Sequence, residues 1–159
     1  MFISFVKAKI YNKMQIHSFL TPHVQSFTLD GVTHVNVTDS YNLLIEGNAI
    51  LVDVREDEEL DIASFDVPNV LHNPLSNILE SYNRIPKDKI LIIACNHGIR
   101  SVKVVNLLLR QGWKTVHSMD GGLIEWVRNN LPLNIKPHQH PSSGSCGCSC
   151  NGGDCSNGC

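Results

Sequence analysis

The run Ile90-Leu91-Ile92-Ile93-Ala94 is apolar at every position and is followed at once by Cys95. A strand with water on one face alternates apolar and polar residues, whereas a strand without a polar position has to be covered on both faces. That is the setting of a central strand in a parallel sheet. Parallel neighbours need long crossovers, which helices supply. The surrounding sequence fits, with short apolar segments at residues 33–37, 49–54, 70–72, 89–94 and 115–118 reading as strands. Thr38 can cap a helix over 38–46 that stops at Gly47, and 101–111 forms another stopped by Gly112. In the second, Val104, Val105, Leu107, Leu108 and Leu109 supply a broad apolar stripe. A last helix over 123–129 follows Gly121-Gly122 and ends before Pro132.

With 159 residues, 42% hydrophobic and 18% charged, the chain can bury one core. Thirteen Lys and Arg against fifteen Asp and Glu leave a net charge of −2, which gives no long-range attraction to nucleic acid or to an anionic membrane. The opening apolar residues Met1 to Val6 are interrupted at Lys7 and Lys9, too early for a membrane span or the core of a secretory signal. A cytoplasmic location is the expectation, and Met14 offers an alternative start. Residues 1–32 read as an N-terminal extension, with 26–29 patterned like a short extra strand. Residues 33–132 read as the domain. Residues 133–159 read as a flexible tail of Pro, His, Ser, Gly and Cys, with no aliphatic side chain beyond Ile135.

The chemistry is concentrated at Cys95-Asn96-His97-Gly98-Ile99-Arg100-Ser101, between the buried strand and a helix start, where open α/β sheets place their ligands. A tight turn there aims backbone N–H groups inward, and the helix adds its positive end. Such a cradle favours a thiolate, the nucleophilic form of cysteine. Gly98 supplies the backbone freedom the curl requires, and Arg100 a permanent charge whose planar fork suits an oxyanion such as thiosulfate. His97 could adjust the local field or bind substrate, or be an exposed loop residue without a role. Cys95 could also be a structural thiol, since free cysteine is often buried. The glycine, arginine and helix start that follow at this spacing argue against that reading.

At these residues the chain resembles the rhodanese family over about one hundred residues, a span that suits one domain. Leu51-Val52-Asp53-Val54-Arg55-Glu56 resembles the family's first signature, CNHGIRS its active-site loop, and Asp120-Gly121-Gly122 with Trp126 the stretch that closes the domain. The resemblance implies a three-layer α/β fold, with a central parallel sheet of about five strands and helices on both faces. It further implies a sulfurtransferase whose Cys95 takes a sulfane sulfur from a small donor and yields it, as a persulfide, to a thiol or protein acceptor. No cofactor is required. Arg100 then assists donor binding while Asp53 and Arg55 brace the loop; read without the family, the latter two are a surface ion pair at a strand end. Residues 62–68 stand where the family usually has a Gly-His-Ile text, so the acceptor side of the cleft is left open. Related phosphatases place five residues between cysteine and arginine to encircle a phosphate, whereas this loop has four, a size better suited to one sulfur. A carrier or binding protein without fast turnover is the competing class.

Cys146, Cys148, Cys150, Cys155 and Cys159 lie in the last fourteen residues, with His138 and His140 upstream. Thiolates two residues apart on a Gly/Ser chain can meet one soft ion, and the set exceeds the four ligands zinc takes and also suits Cu(I). The tail could capture metal, relay sulfur to or from Cys95, or have no specific role. A flexible chain of about 25 residues spans ~27 Å, enough for the relay.

Overall fold

The computed structural model of the protein describes residues 16–137. The apolar run forms β5 (Ile90–Ala94), the middle strand of a five-stranded, all-parallel sheet ordered β1-β6-β5-β2-β4. Its partners are β2 (Ala49–Asp53) and β6 (Val116–Met119), with β1 (His34–Val35) and β4 (Val70–His72) at the edges. Leu91, Ile93 and Cys95 face one layer, built by Val102, Val105 and Leu108 of α4 (Ile99–Arg110). Ile92 and Ala94 face the other, built by Leu43 and Leu44 of α1 (Val37–Ile45) and by Trp126 of α5 (Gly122–Arg128). Helices therefore cover both faces, which is why no position of β5 is polar. Among the described residues no helix is long and apolar enough to cross a membrane.

Several local expectations change. The first helix is capped by Asn36 rather than Thr38, because Asn36 stands at the end of the extended β1 and its Oδ1 accepts the Asp39 N–H at 2.7 Å. Helix α4 begins at Ile99, two residues early, since Gly98 at φ +87° turns the chain directly from loop to helix. Short helices α2 (Asp57–Leu60) and α3 (Ile78–Ser81) fill the segments after β2 and β4, each too short for a helical period to show in the sequence.

Two strands lie outside the expected set. β3 (Ala63–Phe65) and β7 (Leu133–Ile135) pair antiparallel beside the main sheet, and the pairing continues to the Lys136 N–H, which donates to Ile62 O at 3.2 Å. Paired backbone thus continues past residue 132, where composition places the start of the tail. Phe65 of β3 and Tyr41 of α1 both meet the Trp126 ring edge-on, with centroids 5.1 and 5.8 Å away, and the indole N–H donates to Pro132 O at 2.9 Å.

The segment before β1 is packed rather than appended. Residues 26–29 are not a strand; Phe19 instead exchanges both backbone hydrogen bonds with His34, at 2.9 and 2.7 Å. The N–H groups of His23, Val24 and Gln25 converge on the carboxylate of Asp120 at 2.7, 3.0 and 3.2 Å. We call residues 16–32 the strap.

Trp126 is fully buried and is the common contact of α1, β3 and the chain after α5. Trp126→Ala is expected to cost about 3–5 kcal/mol of stability, read as a lowered urea midpoint; a loss below about 1 kcal/mol would show that the second layer does not depend on it.

Candidate functional site

The site begins where β5 runs out. Asp53 of β2 is in register with Ala94, so the ends of the two strands bring the Asp53–Arg55 segment beside Cys95. Cys95 is 1% exposed. Its Sγ accepts the N–H of Gly98 at 3.1 Å and of Ser101 at 3.4 Å, while the Ser101 hydroxyl lies 3.7 Å away. That hydroxyl donates to Gly98 O at 2.7 Å and meets the buried Ser118 hydroxyl at 2.8 Å, which closes the loop on itself.

The carbonyls of Cys95 and Asn96 point the opposite way. They accept the N–H groups of Leu123 and Ile124, in the first turn of α5, at 2.8 and 3.1 Å. A Cβ on Gly122 would overlap both carbonyls, so the helix can come this close only with glycine there. The loop is therefore held from behind by a helix start while its own amides turn toward the sulfur.

Charge on the loop is held in place by one carboxylate. Glu59 of α2 accepts both terminal nitrogens of Arg100 at 2.6 Å each, the side-chain amide of Asn96, and the N–H of Glu56 at 2.9 Å. The hydrogen bond from Arg100 is the chief cause that pulls the Glu59 carboxyl down to about 2, against the opposing effect of burial. The same bond raises Arg100 above its ordinary value. Asn96 Oδ1 is buried and has no partner among the described residues.

Asp53 and Arg55 are each 1% exposed and joined by a fork of bonds, the shortest from Nη2 to Oδ2 at 2.6 Å. The guanidinium also lies over the Phe65 ring, 5.3 Å from its centroid. The pair is thus buried, in contrast to the surface ion pair that the bare sequence allows. The Arg55 carbonyl is in turn bonded to His72 Nε2 at 2.8 Å.

The strap supplies a wall. Gln25 bridges two elements: its Oε1 accepts the Gly121 N–H at 3.2 Å, and its Nε2 donates to Phe27 O at 3.0 Å and to Gly98 O at 3.4 Å. A Cβ on Gly98 would fall on the Gln25 amide, so the missing side chain and the positive φ are both used. Between strap, loop and α5 lies an open cleft of about 420 Å³, lined on the loop side by the exposed His97 and Ile99.

Sequence reasoning singles out the loop, Asp53 and Arg55, and these come together. It passes over Glu59, which in the run Asp57-Glu58-Glu59 looks like any solvated acidic stretch, and over Gln25, which carries no local signal. The tail cysteines Cys146, Cys148, Cys150, Cys155 and Cys159, with His138 and His140, lie outside the described residues. Among the described residues no group of three or more His, Cys, Asp or Glu is placed to hold a metal.

Comparison with known proteins places the rhodanese-like domain family on residues 36–129. The chain is 29% identical over 105 residues to a thiosulfate sulfurtransferase, GlpE, of Vibrio cholerae, covering 66% of this chain and 97% of that protein. It is 38% identical over 84 residues to a putative sulfurtransferase, YtwF, of Bacillus subtilis, covering 53% and 79%. The crystal structure of a rhodanese-like domain protein from Staphylococcus aureus superposes with a TM-score of 0.56 at 31% identity, covering 65% of this chain and 98% of that one.

Two outcomes follow from the geometry. Gly98→Ala is expected to destabilise the protein by more than about 1 kcal/mol. Combining it with Gln25→Ala should recover the steric part and leave only the cost of the backbone angle, so strictly additive losses in urea unfolding would contradict the contact. For Glu59, a folded value near 2 against an ordinary 4.5 means that its stabilisation is complete above pH about 4.5 and is lost as pH falls toward about 2. The stability difference between wild type and Glu59→Gln should shrink over that window, and a difference constant across it would remove the ion pair from the account.

Proposed function

This chain belongs to the rhodanese-like domain family, and from that premise we propose that it transfers a sulfane sulfur through a persulfide on Cys95. The observation that carries the reading is the convergence of the Gly98 and Ser101 amides on the Cys95 sulfur at the end of the central strand. These donors are fixed before any substrate arrives, so they can receive a second, negatively charged sulfur without reorganising.

In the first half-reaction the Cys95 thiolate attacks the outer sulfur of a donor. With thiosulfate, a bond forms between Sγ and that sulfur, the bond to the sulfonate sulfur breaks, and sulfite leaves with the electron pair. No proton has to move. The near-complete burial of Cys95 favours a slender donor terminus and keeps bulk water from the persulfide. Arg100 keeps guanidinium donors beyond the two that meet Glu59, and it would steer the sulfonate while Glu59 fixes its angle. Asp53 and Arg55 would act as a positioning pair, bracing the strand end from which the loop springs. In the second half-reaction a nucleophilic acceptor removes the outer sulfur and restores the thiolate. The name of the Vibrio cholerae relative supports thiosulfate as a donor. The four residues between Cys95 and Arg100 support sulfur over a phosphoryl group. This chemistry draws on no resident cofactor and suits a reducing, cytoplasmic setting, where Cys95 stays free.

Intact mass after exposure to thiosulfate is the direct test. The expected outcome is a gain of one sulfur atom by the wild type, reversed by excess thiol and absent from Cys95→Ser. Failure of the wild type to gain sulfur, or an equal gain by Cys95→Ser, would overturn the proposal.

A further inference from the structure

We propose that the cleft between the strap and the loop is the acceptor subsite, and that it selects a small organic thiol with an apolar body and an anionic group; this rests on the sulfurtransferase reading above. Size comes first. A cleft of about 420 Å³ lies within the range of roughly 300–1,000 Å³ that organic ligands occupy, and it is far larger than a thiosulfate ion, which needs only the loop. Its body is apolar: Val24 and Phe27 of the strap face Ile99 of the loop and Ile124 of α5. Val24, Ile99 and Ile124 are 49%, 46% and 37% exposed, an uncovered apolar lining on the outer side of the loop that carries Cys95.

Charge then fixes the class. The ionisable side chains in the lining are Arg128 and His97, with no carboxylate. Arg128 is 67% exposed and has a single long contact, 3.4 Å to Glu125, so its guanidinium can meet an incoming anion. The volume of the cleft, about 420 Å³, matches a small molecule seated between strap, loop and helix better than a protein surface laid across it.

Position connects the cleft to the chemistry. His97 and Ile99 belong to the loop, and Gln25 of the cleft wall is bonded to the carbonyl of Gly98, whose N–H holds the Cys95 sulfur. The wall is fixed by the three amide bonds to Asp120. The strap lies before the family-matched residues 36–129, so this half of the subsite is formed by residues outside the family match. The step itself is a displacement: the acceptor thiolate attacks the outer sulfur of the Cys95 persulfide and a sulfur–sulfur bond forms to it. The bond to Sγ breaks, its electron pair returns to Cys95 as thiolate, and the acceptor leaves as a persulfide anion, the negative charge staying on the outer sulfur and no proton moving.

Binding can be measured apart from turnover. The probe is the S-methyl ether of mercaptohexanoate, which cannot accept sulfur, titrated into full-length protein and followed by NMR. It is expected to shift the amides of residues 24–27, 97–99 and 124–128 in wild type and Cys95→Ser alike. Val24→Trp, which fills the cleft, and Arg128→Glu should each weaken binding about tenfold or more. Lys103→Glu, the same charge change at an exposed position of α4, should not. With mercaptohexanoate as acceptor, the two cleft variants should raise KM, while cyanide, which needs no cleft, should show no comparable rise. Absence of binding, shifts elsewhere on the protein, or affinity unmoved by both cleft variants would overturn the subsite. If the probe binds as described but no persulfide forms on Cys95, the sulfurtransferase reading fails and the cleft's role as acceptor subsite falls with it. If the persulfide forms and the probe does not bind, the subsite alone fails.

Discussion

A strand buried on both faces has to satisfy its last backbone groups without help from water. At the end of β5 the carbonyls of Cys95 and Asn96 are taken by the first-turn amides of α5, and that single arrangement decides which way the loop faces. With the carbonyls turned back toward a helix, the N–H groups further along the loop are free to point inward, where the sulfur is their acceptor. The approach is so close that Gly122 cannot carry a side chain, and Gly98 cannot carry one on the opposite side. The sulfur's surroundings are thus a consequence of backbone accounting more than of any one reactive side chain.

Three carboxylates divide the task of holding this loop. Asp53 grips Arg55 at the neighbouring strand end, Glu59 grips Arg100 and Asn96 on the loop, and Asp120 grips the strap. Every one of their oxygens has at least one donor. Carboxylates so engaged serve as fixed anchors, which suits the proposed reaction, in which no proton changes hands.

The parts of this architecture that were legible in the sequence are those set by local pattern. The unbroken apolar run locates the central strand, residues 70–72 read as the strand they form, and a cysteine, a glycine and an arginine at short intervals mark the loop. What was not legible depends on pairings between distant residues. β3 and β7 have three residues each and pair only with one another, across about 70 positions. Thr38 and Asn36 are both competent caps, and the choice between them is made by where β1 ends. Glu59 is distinguished from Asp57 and Glu58 only by Arg100, forty-one residues later. Gln25 acquires a function only through Gly98 and Gly121.

The contact between the strap and Asp120 also joins the earliest described residues to some of the latest. Synthesis begins at the N-terminus, so His23 leaves the ribosome 97 residues ahead of the carboxylate that will hold its amide. Until then the strap can bond to β1 through Phe19, but β1 has no neighbour in the sheet until β6 emerges and carries Asp120 into place. Closing so long a loop costs more entropy than pairing β2 with β5, whose residues are available earlier. In the order of synthesis the residues of β2, β5 and the loop are therefore all present before Asp120, and the edge of the sheet that anchors the strap is the last to be complete.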